Sequence, residues 1–220
     1  MKFTVKNNFI TKSSTERLHK SPLPLIGLTG GIATGKSSVS KIFTDTGIDV
    51  ICADILIKEI YMRTETVNWI KANFSGSIKN NKIDFKILRS LAFNDILIKE
   101  KLEQYLYPKL FELFKEKVEI IKNKNKQDFI IYDIPLLFEK DFQNNFDQII
   151  CVYATIEKQI DRVMKRDNID TELTKKIIKN QINIEDKKSK SDIVIDNNTT
   201  PQNLIINTKL VLKDLFNINN

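Results

Sequence analysis

The chain has little of several residues on which other proteins build their chemistry. Two cysteines, Cys52 and Cys151, are too few for a disulfide framework. Together with the one histidine, His19, they do not make a four-ligand zinc site. A catalytic centre built on several histidines is excluded for the same reason. No apolar run approaches the ~20 residues that a helix needs to cross a bilayer. Glycine is scarce, with six in 220 residues. No internal repeat is present, and the N-terminal residues hold no apolar stretch of the secretory kind. The rest is 41% hydrophobic and 29% charged, which suits one globular domain, or one domain with an inserted piece. A chain of this length buries a core without disulfides or metals.

Thirty-five basic residues against 28 acidic ones give a net charge of +7. Residues 1–24 hold Lys2, Lys6, Lys12, Arg17 and Lys20 against Glu16 alone, so the body of the protein is close to neutral. That balance speaks against nucleic acid as a partner, and scattered surface lysine accounts for it. Residues 1–22 read as a flexible, basic leader. Its Ser/Thr content and few acids leave organelle targeting open, beside a frayed extension of a cytoplasmic protein.

Order is expected from Leu23-Pro24-Leu25-Ile26-Gly27-Leu28-Thr29, a buried-strand run. A glycine loop follows, then a helix from about Lys36 to Asp45 that Gly47 ends, then a strand over Ile48–Cys52. This β–loop–α–β order within thirty residues predicts a parallel sheet. Residues 55–125 read as a helical insert. Leu102, Leu106, Leu110, Leu113, Phe114, Val118 and Ile121 make one apolar stripe, and Pro108 within it predicts a kink or restart. Residues 122–128 read as a solvated connection. Phe129–Asp133 and Gln148–Tyr153 are further buried strands. Helices are expected at 155–166 and 171–181, then a strand at Ile193-Val194-Ile195 and a last helix opened by Thr200-Pro201.

Gly30-Gly31-Ile32-Ala33-Thr34-Gly35-Lys36-Ser37 matches G-x-x-x-x-G-K-[ST] in full, and Ser38 follows it. Such a loop aims backbone amides at phosphate oxygens, with the positive end of the following helix behind them. The Lys36 ammonium reaches the β- and γ-phosphates, and the Ser37 hydroxyl is a ligand for Mg²⁺. Four of the six glycines lie between Gly27 and Gly35, so a chain sparing with glycine concentrates it at one loop. Asp133, at the end of an apolar strand, supports Mg²⁺ through water or caps a turn.

A GTPase switch is a rival. Asn125-Lys126-Gln127-Asp128 spells N-K-x-D, but it precedes an apolar strand where that motif follows one. No glycine has an aspartate three residues before it, so D-x-x-G is absent. A small kinase remains, and it needs a carboxylate near the phosphate loop and a basic lid. Asp54, two residues past the second strand, is the candidate to accept or orient the acceptor hydroxyl proton, unless it caps the next helix. Arg162 and Arg166, one helical turn apart, suit a lid over about 155–188 that neutralises charge on the moving phosphoryl group.

From about Leu25 to Asn198 these residues resemble the dephospho-coenzyme A kinase family. The likeness is carried by Leu28-Thr29-Gly30-Gly31-Ile32 leading into Gly35-Lys36-Ser37-Ser38, and by Asp54 after the second strand. It extends to Asp133-Ile134-Pro135-Leu136-Leu137-Phe138-Glu139, to Arg162, Arg166 and Asp167, and to Gln181, Lys187 and Asp192–Asn197. The resemblance implies ATP and Mg²⁺ as cofactors and transfer of the γ-phosphate to the ribose 3′-hydroxyl of dephospho-coenzyme A. It implies a three-layer α/β P-loop nucleotide-kinase fold, with a parallel sheet of about five strands, a helical acceptor-binding insert and a lid. It also implies that the ATP base lies near Asp192–Asn197, which makes Asn197 a candidate for the adenine pocket. Pro135, Leu136 and Leu137 are expected to pack the phosphate loop, and Glu139 to contact the acceptor or cap a turn. Tyr107-Pro108 stands where the family usually has His-Pro, so Tyr107 would meet the acceptor with a hydroxyl in place of a positive charge. Thr199 and Ser191 stand where glycine and alanine are common. The alternatives are a nucleoside or nucleotide kinase of the same fold, or a P-loop switch without acceptor chemistry.

Overall fold

The computed structural model describes residues 2–219, which divide into two compact units. The first comprises the chain up to Cys52 and again from Val118. Its elements before the second unit are β1 (Lys2–Val5), β2 (Leu25–Gly30), α1 (Lys36–Asp45) and β3 (Val50–Cys52). The second unit holds α2 (Ala53–Met62), α3 (Thr64–Asn73), the two-residue strands β4 (Ile78–Lys79) and β5 (Lys82–Ile83), α4 (Phe85–Asn94) and most of α5 (Ile96–Lys124). The first unit then resumes with β6 (Ile130–Asp133), β7 (Gln148–Tyr153), α6 (Ile156–Asp167), α7 (Thr171–Lys179) and α8 (Ile184–Ser189). It closes with β8 (Ile193–Asp196), α9 (Pro201–Leu215) and β9 (Phe216–Asn219).

The first unit is built on a parallel sheet of five strands in the order β3-β6-β2-β7-β8. β2, β6 and β7 are buried along their whole length, as expected of parallel strands covered on both faces. Their runs of Ile, Leu and Val supply the apolar area that holds the sheet. Val39 and Phe43 of α1 and Leu204 and Leu212 of α9 belong to the same core cluster as Ile26, Leu28, Ile131 and Ile150. The register sets the site. Leu28 of the central strand pairs with Asp133, and Cys52 pairs with Asp133 from the other side. The ends of β3 and β6 therefore meet at one carboxylate beside the central strand. Cys151 is a small core residue of β7, and burial pushes its thiol up to about 11.

The N-terminal segment departs from the expected flexible leader. β1 pairs antiparallel with β9, Lys2 opposite Asn219 and Val5 opposite Phe216. Phe3 and Val5 are buried in the main core, and Phe129 stacks on Phe216 at a centroid distance of 4.2 Å. Arg17 is buried and donates to the Asp147 carboxylate at 2.6 and 3.2 Å. Asp147 also accepts the backbone amides of Thr11, Lys12 and Leu25. The basic residues that made this segment look solvated include one that is the partner of a buried carboxylate. His19 tilts against Tyr132, and burial brings its imidazole down to about 4, so it is neutral at pH 7.

Three other expectations change. α5 neither ends nor restarts at Pro108. Leu102 and Leu106 before the proline, and Leu110, Leu113 and Phe114 after it, are all buried, which holds both halves in one helical register. The connection over 122–128 is not simply solvated. α5 runs to Lys124, and Gln127 is buried, donating to the carbonyls of Asp49 and Phe129 while accepting from the Asp49 amide. The N-K-x-D letters thus brace β3 and β6. The short helix α8 was not foreseen.

Burial alone would raise the Asp147 carboxyl, but the Arg17 guanidinium and the Leu25 and Lys12 amides outweigh it and hold the group below its ordinary 3.8. The stabilisation is therefore present above that pH and is lost as pH falls through the folded-state value. Arg17→Met leaves a buried carboxylate without its cation, and urea unfolding at pH 7 should show a loss of about 3–5 kcal/mol. The gap from the unsubstituted protein should narrow as pH drops below 4.

Candidate active site

β2 ends at Gly30 and α1 begins at Lys36, so residues 31–35 form a loop between a buried strand and a helix N-terminus. Thr34 is fully buried and folds the loop on itself, its hydroxyl donating to the Gly31 carbonyl at 2.9 Å. Gly35 sits at the helix cap with φ +97°, and a Cβ there would collide with the Asn197 carboxamide. No side chain caps α1, so the amides of its first turn keep their capacity to hold an anion. Ser37 and Ser38 are exposed at this end.

Lys36 and Asp133 form an ion pair in which both side chains are largely buried. Each charge compensates the other, where either alone would be costly to desolvate. Behind the loop, three side chains hold backbone carbonyls. Arg162 of α6 donates to the Ala33 carbonyl at 3.1 Å and to the Asn197 carbonyl at 2.7 Å. Asn197, just past β8, donates to the Thr34 carbonyl at 2.8 Å. Lys187 of α8 is completely buried, with its ammonium 2.7 Å from Glu139, 3.1 Å from the Pro135 carbonyl and 3.5 Å from the Gly30 carbonyl. Gln181 adds a fourth brace by accepting the Ile32 amide at 2.9 Å.

The loop residues Gly30 through Ser38 thus lie together with Asp133, Arg162 and Asn197. Other expected residues lie elsewhere or act differently. Arg166 is exposed and forms a two-pronged pair with its neighbour Asp167, both bonds at 2.8 Å. Leu136 is 40% exposed. Leu137 is buried, against the Gly27 position of β2. Pro135 contributes its carbonyl to Lys187 and to the Thr29 hydroxyl. Glu139 is neither a turn cap nor a surface group: one carboxylate oxygen takes Lys187 and the Ile182 amide, while its other oxygen is buried without a protein partner.

Two cavities bear on ligands. One, of about 480 Å³, lies in the first unit and is lined by Ser38, Ile42, Arg162, Asn197, Pro201 and Leu204. The other, of about 510 Å³, lies in the second unit and is lined by Asp54, Lys58, Tyr61, Phe85, Arg89 and Leu102. Asp54 is the second residue of α2, inside the helix, so it is not the N-cap. Its carboxylate is exposed in the helix's first turn, where an anion is favoured. Lys58 and Tyr61 follow it by four and seven residues, one face of a helix, a spacing that was readable in the sequence. Tyr61 meets Phe85 edge-on at 5.1 Å, and burial raises its phenol so that it stays protonated. Arg89 had no sequence signal. Tyr107 is exposed and does not line this cavity among the described residues. Lys187 was visible only as one lysine in a closing motif.

The family model for dephospho-CoA kinase matches residues 24–203. A dephospho-CoA kinase from Fusobacterium nucleatum is 39% identical over 182 residues, covering 82% of this chain and 92% of that protein. One from Staphylococcus haemolyticus is 34% identical over 198 residues, covering 89% and 97%. Among solved structures, the dephospho-CoA kinase from Campylobacter jejuni superposes with a TM-score of 0.64 at 29% identity, covering 86% of this chain and 96% of that one. With its phosphate loop, its five-stranded parallel sheet and most of its length inside the matched region, the chain belongs to the dephospho-CoA kinase family.

Proposed function

We propose that the protein transfers the γ-phosphoryl group of ATP to the ribose 3′-hydroxyl of dephospho-CoA, giving ADP and CoA, the last step of CoA assembly. The observation that carries this reading is the phosphate loop with Lys36 and Asp133 paired at its mouth, in a chain of this family. The triphosphate lies along the amides of Gly35, Lys36 and Ser37, with its nucleoside in the cleft beside Asn197 and Pro201. Its arrival gives the Lys36 ammonium a stronger anionic partner than Asp133. The acceptor lies in the cavity of the second unit, its phosphates facing Lys58 and Arg89 and its aromatic base against Tyr61 and Phe85.

Phosphoryl transfer asks the protein mainly for position and charge. Asp54 accepts the proton of the 3′-hydroxyl as that oxygen bonds to the γ-phosphorus. The bond from the γ-phosphorus to the β–γ bridging oxygen breaks, and ADP leaves with the electron pair. Lys36 stabilises the charge on the transferring group. Ser37 and Asp133 offer one hydroxyl and one carboxylate, a donor set that fits a Mg²⁺ ion keeping water and phosphate oxygens as its other ligands. Such an ion supplies charge neutralisation on the β- and γ-phosphates. Arg166 reaches the phosphates only after leaving Asp167. We place the reaction in the cytoplasm, with ATP and dephospho-CoA as the partners.

An acceptor screen with Mg·ATP tests the assignment. Dephospho-CoA should be converted to CoA with one ADP formed per product, and nucleoside monophosphates should react at least about a hundredfold more slowly. The reverse preference would move the protein to the nucleotide kinases, and ATP hydrolysis indifferent to every acceptor would move it to the switches. Asp54→Asn should lower kcat by about 10²–10⁴-fold with Mg·ATP affinity kept, as stopped-flow and nucleotide titration would read.

A further inference from the structure

Asn197 lines the cleft expected to take the nucleoside, and so reads as a residue that contacts the base. Its bonds suggest another task. Its backbone amide donates to the Tyr153 carbonyl at 2.8 Å, and its backbone carbonyl accepts from Arg162 at 2.7 Å. With both peptide groups fixed, the side chain has little freedom, and the residue is only 8% exposed. The carboxamide nitrogen donates to the Thr34 carbonyl at 2.8 Å, within a buried contact. An acceptor carbonyl identifies the facing atom as nitrogen, because the carboxamide oxygen has nothing to donate.

The consequence follows from peptide geometry. In a trans peptide the C=O and N–H of one unit point in opposite directions. The peptide joining Thr34 to Gly35 has its carbonyl drawn back onto Asn197, so its N–H, that of Gly35, is directed the other way, into the phosphate cradle. No cis peptide occurs among the described residues. Gly35 holds φ +97° here, and its missing Cβ is what lets the Asn197 carboxamide come so close. Left without that donor, the Thr34 carbonyl would be a buried acceptor with no partner, and turning the peptide would satisfy it by facing the carbonyl to water in the nucleotide-free cradle, where it would then repel phosphate oxygens.

We infer that Asn197 is a positioning residue of the phosphate loop: it orients the Gly35 amide toward the polyphosphate rather than reading the nucleotide base. Arg162 acts on the same device from behind, tying the Ala33 carbonyl to the Asn197 carbonyl. The inference rests on the nucleotide-binding part of the proposed function, and it concerns affinity for phosphate, not the choice of acceptor.

Asn197→Asp keeps the shape and replaces the donor by an acceptor, while Asn197→Ala removes the donor alone. Binding of Mg·ADP, Mg·GDP and inorganic tripolyphosphate is measured by competition against a fluorescent ADP, after equal melting temperatures identify the folded variant. The expected result is a weakening of at least about tenfold for all three ligands, with the ADP-to-GDP preference unchanged. The inference is overturned by tripolyphosphate binding that stays at the unsubstituted level, or by a collapse of the ADP-to-GDP preference, which would make Asn197 a base reader. Failure of the unsubstituted protein to bind any nucleotide would instead defeat the proposed function, so the two failures are distinct.

Discussion

Everything in this protein's chemistry depends on a short stretch of backbone being held with its carbonyls turned one way and its amides the other. A loop of glycine and small residues does not hold such a shape by itself, because its unfolded alternatives are many. The structure supplies the constraint from behind. Arg162, Asn197 and Lys187 each take a loop or strand-end carbonyl, and Gln181 accepts the Ile32 amide. The four come from α6, the segment between α7 and α8, α8 itself and the residue after β8. The sheet fixes where the loop starts, and the C-terminal third of the chain fixes how it is oriented. Preorganisation of this kind lets charge on the phosphates be met without reorganising the protein at the moment of reaction.

The same logic explains the polar groups buried around the site. A buried ammonium such as that of Lys187 is tolerated only with its bonds satisfied, and Glu139 with two carbonyls satisfies it. Lys36 and Asp133 neutralise each other in the same way. Farther off, Arg17 and Asp147 fasten the N-terminal segment, and β1 closes against β9. Both of those strands lie outside the region matched by the family, residues 24–203. The clasp they form, with Phe3, Val5 and Phe216 buried in it, thus lies outside the matched region.

Much of this was legible in the sequence. α1 runs from Lys36 to Asp45 as read, because a glycine precedes it and Gly47 at φ +93° ends it. The central strands were visible because a strand buried on both faces must be continuously apolar. The clasp was not, since β1 and β9 have four residues each and a pairing partner at the far end of the chain, which no local pattern reports. Arg17 read as solvated for the same reason: its partner lies 130 residues away. Proline inside α5 is a sound breaking signal overridden by the packing of leucines on both sides. At the site, motif residues indicated the chemistry, but their geometry came only from the fold. Arg162 was named to neutralise charge on the moving phosphoryl group and Asn197 for the adenine pocket, and both side chains hydrogen-bond to loop carbonyls, which no sequence pattern reports. Arg166, four residues from Arg162, shares its helix but pairs with Asp167.

Backbone relaxation of the loop tests the central claim most directly. With ¹⁵N-labelled protein and no nucleotide present, the amides of Gly31 through Ser37 should have order parameters near the ~0.85 of rigid backbone, matching the neighbouring strands. Values below about 0.6 that rise only when Mg·ADP is added would mean that the ligand shapes the cradle, and that the side chains behind it do not.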